Sequence, residues 1–152
     1  MRSTVRLAND AWEALLEAHA VLLREFLAED LWGEISMREY DVLYALAKSA
    51  RPVRIGDLQD HVLLSQPALS RMVDRLVGRE LIQRKPDPSD ARGVLVTLSD
   101  AGREIQRAVG RRHARHVAAA MAERLDVGQL TQLEELCGRL SGRRPAQEDE
   151  GS

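Results

Sequence analysis

At 152 residues the chain is one domain's worth of polypeptide, and with aromatics at only 3% its core must be built mostly from Leu, Val and Ala. A single cysteine, Cys137, excludes an internal disulfide framework and any multi-cysteine metal site. No apolar run approaches the ~20 residues of a membrane span and no secretory pattern is visible, so a soluble, cytoplasmic protein without a membrane partner is expected.

The first predicted element is a long amphipathic helix over residues 9–31, with Trp12, Leu15, His19, Leu22, Leu23, Phe26 and Leu27 on its apolar side. A second helix is predicted over 36–49, because Ser36 and Glu39 have capping-box spacing; Tyr40, Leu43, Tyr44 and Leu46 are its packing residues. Arg51-Pro52-Val53-Arg54 breaks that helix and suits a short β-bridge. A short helix over 55–61 follows, with Ile55, Leu58 and Val62 facing a core.

Ser65 caps the next helix, Pro67 falls in its first turn, and Leu69, Met72, Val73 and Leu76 recur at i, i+3, i+4, i+7 as one apolar stripe. Off the stripe lie Gln66, Ser70, Arg71, Asp74 and Arg75, side chains able to read base edges and phosphates. Two short helices joined this way fit a helix-turn-helix. Residues 81–85 then read as a strand, Pro86, Pro88 and Gly93 punctuate a loop, and 94–98 alternates as the returning strand. Ser99 caps a long helix over 100–125, with Ile105, Val109, Val117 and Met121 apolar. Asp126 and Gln129 open a last helix ending near Leu140. Residues 142–152 lack a packing pattern and are expected to form a disordered tail.

The predicted class is mainly α with a small β-hairpin wing: a winged helix-turn-helix lobe over 36–99, flanked by dimerisation helices over 9–35 and 100–141. Charge follows that division. Residues 1–50 carry five basic and nine acidic side chains, 51–95 carry eight and six, and 96–152 carry nine of each. The positive excess sits in the expected reading head, although it is small. The flanking helices are apolar on one side and exceed what a three-helix core needs; a symmetric homodimer would bury them.

The motif Asp90-Ala91-Arg92, followed by Val96-Thr97-Leu98-Ser99-Asp100-Ala101-Gly102, resembles the MarR family of bacterial transcriptional regulators. Ser99 stands where that family most often has Thr, which preserves the helix cap. Glu39-Tyr40 and the run from Leu69 to Leu76 fit as well, so the resemblance covers residues 9–141. It implies an obligate homodimer joined through its terminal helices on a pseudo-palindromic operator of double-stranded DNA. The recognition helices would enter adjacent major grooves ~34 Å apart, with wings in flanking minor grooves. Many members are repressors released by a small phenolic or other aromatic acid bound between the DNA-binding lobe and the dimerisation helices.

On that basis Arg71 and Arg75 are expected to contact bases or phosphates, with Gln66, Pro67, Ala68 and Ser70 as further readout candidates; an isolated helix of this kind favours a solvated charged face, and the wing hairpin that follows reverses the preference. Arg92 is assigned to the minor groove, held at the wing tip by Asp90. Arg84 and Lys85 suit phosphate or plain surface roles, and Arg54 and Ser65 backbone phosphate near helix N-termini. Trp12, His19, Trp32, Met37 and Tyr40 are candidates to line an aromatic-acid pocket, each with ordinary packing as the alternative. His113 and His116, three apart, have metal-permitting spacing without a cysteine or acidic partner beside them, so packing is favoured and no metal or cofactor is assigned. Cys137 has the spacing of a packing residue from Leu133 and Leu140; the family's peroxide-sensing cysteine lies in the first helix, where this chain has none. There is no phosphate loop, nucleophile elbow or zinc-protease motif, so the expectation is a regulator, a repressor before an activator, and not an enzyme. The alternatives are a winged helix that docks proteins without specific DNA binding, and a zinc-responsive regulator.

Overall fold

The computed structural model describes residues 3–142. The elements are α1 (Thr4–Ala28), α2 (Met37–Lys48), β1 (Val53–Arg54), α3 (Ile55–Leu58) continued by a 3-10 turn (Gln59–His61), α4 (Gln66–Gly78), β2 (Ile82–Asp87), β3 (Asp90–Leu98), α5 (Asp100–Ala122) and α6 (Val127–Leu140). They fall into two compact units that divide within α5, between Ala114 and Arg115. Beyond Gly142, the tail expected to be disordered lies outside the described residues. Among the described residues no helix is long and apolar enough to cross a membrane.

In the first unit the core centres on Val42, Leu43, Leu58, Leu69, Val73, Leu76, Ile82 and Val96. The stripe expected on α4 is buried in full, from Leu69 through Met72 and Val73 to Leu76. The capping box on α2 also forms: Glu39 N–H donates to Ser36 Oγ at 3.2 Å, and Ser36 N–H donates to Glu39 Oε2 at 2.8 Å. Tyr44, expected to pack, is exposed and stacks on Tyr40 with its ring beneath Lys48 Nζ.

The first helix differs from expectation at both ends. It starts at Thr4, capped by Ser3, and stops at Ala28, because Glu29 turns extended. That exit carries Leu31, Trp32 and Ile35 into the core, and Trp32 Nε1 donates to the Phe26 carbonyl at 2.9 Å. Of the apolar side chains expected on this helix, only Phe26 is buried; Trp12, Leu15, His19 and Leu27 are exposed.

The antiparallel sheet has the order β1-β3-β2. The loop expected around Pro86, Pro88 and Gly93 is mostly strand: β2 runs through Pro86 to Asp87, opposite Asp90, leaving Pro88–Ser89 as a two-residue turn. Pro86 is accommodated because β2 is an edge strand, which bonds on one side only. Pro86 pairs with Val94 and Asp87 with Asp90, so Ala91, Arg92 and Gly93 form a bulge. At the far end of β3, Ser99 caps α5 as expected, accepting from Gly102 N–H at 2.9 Å, while its own Oγ donates to the Glu80 carbonyl at 2.6 Å. The helix start lies so close to β2 that a β-carbon on Gly102 would come 2.0 Å from the Leu81 carbonyl oxygen.

The second unit holds the end of α5 and α6, the latter opened by an Asp126–Gln129 capping box. No residue of α6 is buried. Val127, Leu136 and Leu140 are exposed, and so is Cys137, which was expected to pack. The apolar periodicity of α6 thus marks a face that is exposed among the described residues.

Truncating Leu69, fully buried in the α4 stripe, leaves a cavity in this core. Leu69→Ala is expected to lower unfolding free energy by ~2–5 kcal/mol in urea denaturation at fixed protein concentration.

Candidate nucleic-acid interface

Burial of the α4 stripe fixes what its other face presents. Gln66, Pro67, Arg71 and Arg75 are exposed, and Ala68 and Ser70 are half-buried. Ser65 Oγ accepts the Ala68 N–H at 3.4 Å, so the cap residue is engaged with its own helix. Arg71 makes no ion pair among the described residues. Arg75 is partnered by neither Asp74 nor Glu80; its Nη1 lies 3.9 Å from Glu39 Oε1. Arg79 reaches the same oxygen at 3.4 Å and donates to the Glu34 carbonyl at 2.9 Å. Glu39 is thus a buried carboxylate at the start of α2 with its capping bond on one oxygen and two α4-side guanidiniums near the other.

Arg84 is ion-paired with Asp74, which ties β2 to α4. Lys85 is exposed beside it.

At the wing, Asp90 does not hold the Arg92 guanidinium as expected. Its Oδ1 accepts the Arg92 backbone N–H at 3.0 Å, and its Oδ2 lies 3.9 Å from Arg54 Nη2. The Arg92 guanidinium is exposed and makes no ion pair among the described residues. Arg92 also sits in the bulge and not at the tip of the turn. The principal carboxylate is one that sequence reasoning missed, Asp87. It accepts from Ser89 N–H at 2.8 Å and Ser89 Oγ at 2.7 Å, and from Arg54 Nε at 2.9 Å and Nη2 at 2.5 Å. The Asp-Pro-Ser run signals the first two bonds, since Asp commonly accepts from the amide two residues on. The bond to Arg54 has no local signal.

Of the candidate effector residues, Trp32 and Tyr40 come together, with ring centroids 5.6 Å apart. Both pack on His113, at 5.0 and 5.6 Å, and Phe26 packs edge-on against it at 5.3 Å. Burial raises the Tyr40 phenol's pKa above its ordinary value, opposed by its hydrogen bond with Gln106. Met37 is half-buried at the first position of α2. Trp12 and His19 do not join the cluster: they are exposed on α1, ~21 and ~10 Å of helix before Phe26. His113 therefore belongs to an aromatic cluster. No group of three or more His, Cys, Asp or Glu among the described residues is placed to hold a metal ion.

A buried four-residue stripe on one helix, a preceding short helix and a β-hairpin beside them define a winged helix-turn-helix. The MarR family profile matches residues 35–94, which span α2, the reading helix and the hairpin. The Escherichia coli multiple antibiotic resistance protein MarR is 34% identical over 84 residues; the aligned stretch is 55% of this chain and 56% of that protein, just over half its length. A MarR family transcriptional regulator from Streptomyces coelicolor, solved in complex with DNA, superposes with a TM-score of 0.75 at 29% identity, covering 98% of this chain and 95% of the other. The PcaV transcriptional regulator from Streptomyces coelicolor, solved with its natural ligand, superposes with a TM-score of 0.66 at 25% identity, covering 93% and 96%. Over residues 35–94 the chain is similar to the MarR family, and its fold is that of the MarR family regulators it superposes on.

The Ser89 hydroxyl and amide, and then the Arg54 guanidinium, hold the Asp87 carboxyl down to about 2. A depressed carboxylate favours the folded state above its unfolded value, ~3.9, and the gain disappears as pH falls through about 2. Carboxyl-carbon NMR is expected to show Asp87 titrating well below the other aspartates, and Ser89→Ala to raise its midpoint. A midpoint near the ordinary value in the unaltered protein would contradict the hydrogen-bonded arrangement.

Proposed function

We propose that this protein is a sequence-specific regulator of transcription that binds double-stranded DNA as a homodimer on a pseudo-palindromic operator, acting as a repressor. The observation that carries the reading is the exposed face of α4: Gln66, Arg71 and Arg75 point away from a fully buried stripe, next to a hairpin that presents Arg92. Such side chains on a rigid helix are those that read major-groove edges, and an arginine on a projecting hairpin suits the narrow minor groove. The Streptomyces coelicolor relative in complex with DNA supports the same use of the fold.

Pairing is supported by exposed apolar surface at both ends of the chain. On α1, Val5 is 73% and Trp12 58% exposed; on α6, Val127 is 80% and Leu140 77% exposed. Apolar surface on this scale normally marks an interface. In our reading residues 9–35 and 100–141 supply the dimer surface and residues 36–99 the DNA-binding lobe. The Trp32–Tyr40–His113 cluster is the proposed wall for a small aromatic or phenolic effector, by analogy with the relative bound to its natural ligand. Trp12 and His19 pass from the effector assignment to the dimer surface. A cytoplasmic location accords with this activity.

Binding is tested by fluorescence anisotropy on the DNA upstream of the protein's own gene, and on sequences selected from a random pool, at two salt concentrations. Affinity is expected to fall steeply with salt, and Arg71→Ala and Arg92→Ala to weaken it by ~1–3 kcal/mol each. Absence of salt-sensitive binding in both DNA sets would replace the regulator reading with a protein-docking one. Sedimentation equilibrium is expected to give a dimer, and Leu16→Glu, an exposed α1 position, to shift it toward monomer. A monomer in the unaltered protein would remove the dimer assignment.

A further inference from the structure

Asp87 closes β2, and its side chain is only 5% exposed. A carboxylate taken out of water keeps its charge only when its lone pairs are filled. Here two donors come from the turn itself, through Ser89, and two from Arg54, 33 positions earlier in the chain. Gly93, in the bulge, is what lets the hairpin close over this carboxylate: a β-carbon there would lie 2.9 Å from Asp87 Cβ and 3.0 Å from its Oδ2. Arg92 precedes that glycine, and its N–H is held by Asp90. The guanidinium that binds Asp87 also lies 3.9 Å from Asp90. Two carboxylates therefore shape the backbone that carries Arg92, and one arginine, outside the hairpin, faces both.

We infer that Arg54 and Asp87 form a latch that holds the wing in the shape presenting Arg92, with Arg54 a positioning residue for the wing and not a phosphate contact. The functional consequence rests on the DNA-binding reading above; the latch itself is a property of the free protein. A two-stranded hairpin is marginal on its own, and the latch fastens its far end to the β1–α3 junction, where Arg54 closes the strand and precedes the helix. Ordering done before DNA arrives does not weaken binding when it arrives. The guanidinium also offsets one of the two negative charges that Asp87 and Asp90 place on the element proposed to approach phosphate. Lysine does not replace it, since one ammonium cannot offer Nε and Nη2 together to the same carboxylate.

The test uses the full chain with Arg54→Met, Arg54→Lys, Asp87→Asn and the Arg54→Met/Asp87→Asn double variant. In the DNA-free protein, amide exchange at Ser89 and Arg92 is expected to quicken by about tenfold or more in Arg54→Met and in Asp87→Asn, with the α4 amides unchanged. Unchanged exchange at both hairpin amides would overturn the latch. On DNA, each single variant is expected to lose about tenfold in affinity, the double variant to lose no more than the worse single one, and the salt slope to stay at its original value. Losses that add, a slope smaller by about one in Arg54→Met, and full recovery by Arg54→Lys would make Arg54 a phosphate contact and overturn the inference. If the unaltered protein binds no DNA, the regulator reading fails by itself, and the exchange result still decides the latch.

Discussion

Burial of Leu69, Met72, Val73 and Leu76 is the constraint from which the reading face follows. Each such side chain favours the buried state by ~1.5–3 kcal/mol, so rotating α4 to hide its arginines would forfeit most of that gain. The direction of Gln66, Arg71 and Arg75 is thus a by-product of core packing, and no additional contact is needed to aim them. What additional contacts do is restrict individual side chains. Glu39, buried at the head of α2, draws Arg75 and Arg79 toward one oxygen, and Asp74 holds Arg84 across to the hairpin.

Six arginines on or against α4 and the hairpin consequently divide into two kinds. Arg54, Arg75, Arg79 and Arg84 each face a carboxylate, whereas Arg71 and Arg92 are exposed and make no ion pair among the described residues. Exposed ion pairs add little to stability, so the tied arginines matter for geometry more than for folding free energy. The untied pair retain all five N–H donors for another partner. This division also explains how a chain of net charge −2 can keep unpaired positive charge on α4 and the hairpin. Four of the guanidiniums on or against α4 and the hairpin are cancelled locally, and two uncancelled ones, Arg71 and Arg92, lie on α4 and the hairpin.

Much of this lobe was legible in the sequence because its signals are local. The i, i+3, i+4, i+7 stripe located α4, and the spacings Ser36–Glu39 and Asp126–Gln129 marked helix starts that form as capping boxes. The failures share a different cause. Pro86 and Gly93 read as loop punctuation, yet an edge strand tolerates the proline, and the glycine is required by the approach of Asp87. Asp90 was matched to its near neighbour Arg92, while the side chain it faces, Arg54, is brought close only by the pairing of β1 with β3. Periodicity put Trp12, Leu15 and Cys137 on apolar faces, and all three are exposed, because spacing carries no information on what covers a face. Among the described residues α1 buries only Phe26 and α6 buries none. The aromatic cluster shows the same limit: Trp32 and Tyr40 could be picked out, but His113 joins them only because α5 is docked at Ser99 and Gly102.

The first turns of α2 give the lobe a further property. Glu39 and Tyr40 are consecutive residues, so they diverge by about 100° around the helix and face different neighbours. Glu39 meets the guanidiniums of α4 and its C-terminal cap, while Tyr40 meets Trp32 and His113. A bound molecule changes a protein's conformational balance only through contacts that differ between the two states. For a molecule among these rings, contacts toward α4 run through this segment of α2 and through the Arg79 bond to the Glu34 carbonyl, two residues from Trp32. The segment is held at its start by a full capping box and at its side by buried Val42 and Leu43, which makes it stiff against small displacements. A stiff element transmits a shift as a rigid body, so movement of Tyr40 carries Glu39 with it, and with Glu39 the charge that faces Arg75.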